Sequence, residues 1–225
     1  MSLWQGKSKG TKSGYRIFIW ILKNFGVLPG YFVLRFVVLY FFLFSHKSSR
    51  ILYSFYHNRL GYGFFHSLIK IYRNYYLMGQ SIIDKIVIMS GIKNRFSFHF
   101  DGEENLREIA SLQKGGILLS AHIGNWDIAG HLLKRLDSRI NILIFDGEDE
   151  QLKEYLSGIT GAMPVNIIVI KNDLSHIYEL SEAFRKNELV CMHADRFLEG
   201  NKTMRIDFLG KEARFPLGPF ILAFT

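Results

Sequence analysis

Residues 115–130 read GGILLSAHIGNWDIAG, and this stretch decides the fold class. A glycine pair leads into the short apolar run Ile117–Ala121. A turn at Gly124-Asn125 follows, with Asn125 well suited to cap a helix. An amphipathic segment then runs from Trp126 to Leu136. Strand, tight turn and helix in that order make one unit of a parallel sheet. Outward from it the pattern repeats. Strands are predicted at Phe96–Phe100, Ile140–Phe145, Ile167–Ile170 and Leu189–His193, with Met204–Leu209 as a further candidate. Helices are predicted at Glu104–Gln113, Glu150–Ile159 and Leu174–Lys186. The expected fold is α/β, a mostly parallel sheet flanked by helices.

In such sheets chemistry gathers where strands end and helices begin. Two polar clusters fall there. One is Ser120–Asp127, where the turn can bring the Asp127 carboxylate to one ring nitrogen of His122. That would fix the tautomer and leave the other nitrogen as a general base. The same residues also fit a core histidine and an acid placed to suit a helix dipole. The second cluster is His193-Ala194-Asp195-Arg196. Arg196 can hold a phosphate or an oxyanion, or form a structural latch with Asp195.

The first hundred residues are different in kind. They hold 14 Lys/Arg and one acid, Asp84, whereas residues 101–225 hold 14 Lys/Arg and 19 acids. The net charge of +8 thus divides into +13 and −5. Of 34 aromatic residues, 24 lie in the basic part. A basic, aromatic region fits an anionic membrane surface better than nucleic acid; the bland alternative is a basic helical domain with a large core. Residues 1–14 read as a flexible basic loop. The apolar segments Ile17–Leu22 and Tyr31–Phe44 follow, with a turn expected at Leu28-Pro29-Gly30 between them. At 14 residues the second would reach about 21 Å as a helix, short of the roughly 30 Å hydrocarbon core. Interfacial helices or a re-entrant hairpin are therefore expected. Leu68, Tyr72, Tyr75 and Tyr76 keep helical spacing farther on.

Several classes are excluded or unsupported. A lone cysteine, Cys191, forms no intrachain disulfide and no cysteine-based zinc cluster. Glycine-rich phosphate loops and G-x-S-x-G are absent, so nucleotide hydrolysis and serine esterase chemistry find no support.

The two clusters resemble the lysophospholipid acyltransferase superfamily, and within it the bacterial branch of late lipid A biosynthesis acyltransferases. The resemblance rests on His-x4-Asp, met by His122 and Asp127, and on its Gly-Asn-Trp context. It rests also on MHADRFLEGNKTMRIDFLGKEARFPLGPFILA (192–223) and on Trp4-Gln5-Gly6 before a basic, aromatic helix. It implies direct acyl transfer from an acyl thioester to a hydroxyl or amine of a membrane lipid such as a lipid A precursor. His122 would deprotonate the acceptor and Asp127 would support it. Asp195 and Arg196, with Asn125 and Gly218, would form the substrate-binding set. No cofactor, metal or acyl-enzyme is implied. The donor would be acyl carrier protein or acyl-coenzyme A, and the partners include an anionic membrane lipid but no nucleic acid. The implied location is the bacterial inner membrane, active site on the cytoplasmic face. Residues 15–92 would form a membrane-associating helical region, and 93–225 a catalytic region that stops before a further strand and its covering helix.

Two competing classes remain open. His122, Asp127, His131, His193 and Asp195 are ligand types suited to a metal-dependent hydrolase. A non-catalytic membrane-binding relative would keep the basic region without turnover.

Overall fold

The computed structural model describes residues 12–126, 128, 139–144, 166–171, 173, 175–197 and 200–224. They fall into two compact units, a helical one up to Arg95 and one that holds the described residues from Phe96 on.

The helical unit contains α1 (Lys12–Phe25), α2 (Val27–Phe44), α3 (His46–Tyr53), a π-helix at Ser54–Arg59, and α4 (Phe64–Met89). α1 starts at Lys12, inside the stretch read as a loop. The break between α1 and α2 falls at Gly26, not at Leu28-Pro29-Gly30. Gly26 takes φ +84°, a conformation open to glycine at little cost. Its amide closes α1 on the Leu22 carbonyl at 3.1 Å. Pro29 and Gly30 lie inside the first turn of α2. The early amides of a helix have no intrahelical acceptor, so proline costs no hydrogen bond there. α2 therefore has 18 residues rather than 14, about 27 Å of helix. By length and composition alone it is sufficient to cross a membrane.

α2 buries Gly30, Leu34 and Val38, a stripe at i, i+4 and i+8. α4 meets this stripe closely: a Cβ added at Gly79 would lie 2.6 Å from a Leu34 methyl. The tyrosines of α4 pin the contact. Tyr72 donates to the Arg35 carbonyl at 3.3 Å and Tyr76 to the Tyr31 carbonyl at 3.5 Å. Tyr31 itself donates to Asp84. The other faces of α2 stay open, with Leu28, Phe32, Phe36, Tyr40 and Phe44 exposed.

The second unit holds α5 (Glu103–Ser111) and four parallel strands: β1 (Gly116–Ser120), β2 (Ile140–Ile144), β3 (Asn166–Val169) and β4 (Leu189–His193). Their order is β1-β4-β2-β3, so the α/β reading holds. α6 (Ser175–Arg185) packs Leu180 and Ala183 on Ile168, Val190 and Met192. β5 (Thr203–Phe208) and β6 (Lys211–Pro216) form a separate antiparallel hairpin, followed by α7 (Gly218–Leu222). Met204–Leu209 thus contributes a strand, but outside the parallel sheet.

Among the described residues, 96–100 join neither sheet. Alternation marks two faces of an extended chain, but a strand also needs a free edge to pair with. The helix read at 126–136 is described only at Trp126 and Ile128, and the helix at 150–159 lies outside the described residues, as does Phe145.

Candidate active site

The site follows from the register of β1 and β4. Parallel pairing sets Ser120 beside His193, the last residues of their strands. The Ala194 amide bonds the Ser120 carbonyl at 2.9 Å and continues the alignment past the strand ends. His122 and Asp195 each lie two positions farther along, and they meet. His122 Nδ1 stands 2.8 Å from Asp195 Oδ1, and the His122 amide donates to Asp195 Oδ2 at 3.0 Å. One carboxylate thus grips both the ring and the backbone of one histidine.

An ionised carboxylate can only accept, so His122 Nδ1 carries the proton in this pair. In the neutral ring Nε2 is then the basic nitrogen. Burial by itself would raise the Asp195 carboxyl. The hydrogen bonds from the His122 ring and amide, with the His122 charge, outweigh it and hold the group below its usual value. Both side chains are about one-fifth to one-quarter exposed, so a substrate can reach them.

Two more rings complete the cluster. His193 lies with its centroid 4.1 Å from that of His122, and Trp126 stands edge-on to both, at 5.3 and 4.7 Å. Ser120 Oγ holds His193 Nδ1 at 2.7 Å. Gly124 at φ +65° turns the chain, and the Asn125 carbonyl accepts the Ile128 amide at 3.1 Å to open the helix at Trp126. Ligand atoms of His122, His193 and Asp195 lie within 4.8 Å of one another.

The bacterial lipid A biosynthesis acyltransferase family model matches residues 71–225 of this chain. The chain belongs to that family. It is also similar to phosphatidylinositol mannoside acyltransferase of Mycobacterium tuberculosis strain H37Rv, 28% identical over 123 residues, covering 54% of this chain and 39% of the relative. The protein of that name from strain CDC 1551 is 27% identical over the same span. The chain thus spans about two-fifths of the length of these curated relatives.

Within this acyltransferase family member the expected residues fall as follows. His122 and Asp195 come together. Asn125 sits on the turn between them and the helix, and Arg196 follows Asp195 in the chain. Gly218 opens α7, and nothing lies within 4 Å of where a Cβ on it would stand. Asp127 and His131 lie outside the described residues. Cys191 is in the middle of β4, and burial pushes its thiol up to about 11, which suits an inert core residue. The pairing of His193 with Ser120 and the tilted contact of its ring with that of His122 are not in the sequence reading. The apolar runs predict strand ends at Ala121 and His193; β1 ends instead at Ser120, and the register sets that residue beside His193.

Proposed function

We propose that this chain is a membrane-associated acyltransferase. It would move a fatty acyl group from an acyl carrier protein or coenzyme A thioester to a hydroxyl or amine of a membrane lipid, such as a lipid A precursor. The observation that carries this reading is the two-point grip of Asp195 on His122. Family membership and the lipid acceptors named for the family and its relatives support it.

In this mechanism His122 Nε2 takes the proton as the acceptor oxygen or nitrogen attacks the thioester carbonyl. The new C–O or C–N bond forms, the C–S bond breaks, and the thiolate leaves with the proton returned from Nε2. Asp195 holds the ring in its tautomer and stabilises the imidazolium; the motif acid Asp127 adds support. Arg196 meets the acceptor headgroup or the developing oxyanion, and Asn125 and Gly218 line the substrate path. The helical region 15–92 would seat the protein on the cytoplasmic face of the inner membrane, with 93–225 as the catalytic region.

The test is transfer of labelled acyl groups from either thioester into extracted lipid. His122→Ala should remove nearly all transfer and leave vesicle binding intact; turnover that survives it sinks the assignment. A second reading, metal-dependent hydrolysis, draws on the three ligand atoms within 4.8 Å. Stoichiometric zinc or manganese in the purified protein, with activity lost on chelation, would favour it.

A further inference from the structure

The helical unit has a feature that acyl transfer does not use. A cleft of about 350 Å³ opens between α2, α3 and α4, its lining made of Phe42 from α2, Ser49, Arg50 and Tyr53 from α3, and Phe64, Leu68 and Ile71 from α4. That volume lies at the small end of the range for sites that take small molecules. Its walls are rings and aliphatic side chains. Tyr53 stacks on His57 at 5.0 Å and stands edge-on to Phe64 at 6.1 Å. The Ser49 and Tyr75 hydroxyls already pair with each other at 3.1 Å. The π-helix begins directly after Tyr53, and such widened turns are common at functional positions.

One cation, Arg50, stands on this apolar wall. It forms no ion pair among the described residues. The unit cannot supply one easily. Residues 12–95 contain twelve Lys/Arg and a single acid, Asp84. Asp84 is bonded to Tyr31, and it lies about 20 Å along α4 from Ile71. An anion for Arg50 must therefore come from outside the helices. The chain neighbours of two lining residues are exposed and apolar: Ile51 is 64% exposed and Phe65, whose ring meets that of Phe64 edge-on, 78%.

We propose that this cleft is a binding site for one anionic phospholipid, an acyl chain lying against Phe42, Phe64, Leu68 and Ile71 and the phosphate on Arg50. Apolar walls suit the chain, and the uncompensated guanidinium suits the phosphate. The proposal concerns binding, so it stands or falls separately from acyl transfer.

The experiment uses the full chain on vesicles that carry phosphatidylglycerol with a diazirine near the end of one acyl chain. Label is mapped by peptide mass spectrometry. The expected result is label on the peptides that contain Phe42, Tyr53 or Phe64. Arg50→Gln should lower it about tenfold or more, and Arg50→Lys should keep most of it. Arg50 is exposed, so these changes leave helix packing alone. Leu68→Trp, which fills the cleft, should lower label there while total vesicle binding persists. Three results would overturn the proposal: equal cleft label from phosphatidylcholine, equal label from a diazirine fatty acid lacking phosphate, or unchanged label in Arg50→Gln.

Discussion

At the residue scale the decisive unit is one carboxylate with two partners. An amide in its place keeps one oxygen acceptor for His122 Nδ1 but offers an NH₂ to the His122 backbone N–H, donor against donor. Asp195→Asn should therefore lower kcat by about 10²- to 10⁴-fold with a small change in KM. A loss confined to KM would show that Asp195 serves the acceptor instead. The same variant has a pH signature. The Asp195 carboxyl is held below its ordinary value in the fold. Its stabilisation is thus present above the unfolded value near pH 4 and is lost as pH falls through the folded one. Asp195→Asn should melt below wild type at pH 7, by roughly 1 kcal/mol or less for so accessible a pair, and the gap should close as acid protonates the carboxyl. A gap that persists unchanged in acid would contradict the assignment. Chelators should leave acyl transfer unchanged; loss that zinc restores would favour the hydrolase reading.

At the element scale, helices and strands answer to different information. The apolar period of α4 was legible because it records one buried face, and the runs of β1, β2 and β4 because their side chains pack on both faces of the sheet. The break at Gly26 was harder to see, since Leu-Pro-Gly carries the louder turn signal. Yet proline is harmless in a first helical turn, and only the glycine meets the positive φ that the chain needs. Phe96–Phe100 shows the reverse error, a good pattern that found no sheet among the described residues. Close packing yields its own prediction. Gly79→Val would drive Cβ and its branches into the buried Leu34. Overpacking costs about 1–3 kcal/mol, more than the roughly 0.5 kcal/mol that valine gains over glycine in helix propensity. The helical unit should melt earlier in Gly79→Val, as read by circular dichroism; an unchanged or higher melting point would show that Leu34 moves aside.

At the scale of the whole molecule, charge and apolar surface belong to the same region. The first hundred residues carry +13, and α2 leaves seven large apolar side chains exposed. Each Lys or Arg near an anionic surface contributes about 1 kcal/mol, and the Debye length shrinks from about 10 Å at 0.1 M salt to about 3 Å at 1 M. Flotation with phosphatidylglycerol vesicles should weaken over that range, with a remainder from apolar contact that salt does not remove. Equal, salt-independent binding to phosphatidylcholine vesicles would remove charge from the account.

Sequence by itself determined the α/β class, the basic aromatic character of the first hundred residues, and both polar clusters with His122 and Asp195 in them. Those properties follow from composition and local period, which do not depend on where distant segments dock. Which acid faces His122 Nδ1 was a different matter. Asp127 is five residues away and Asp195 seventy-three, and nearness in the chain favours the first. Only the register of β1 on β4, with Ser120 beside His193, brings Asp195 within 2.8 Å. Pairing across a sheet depends on where distant strands dock, and that is settled by packing of the whole core rather than by any one segment.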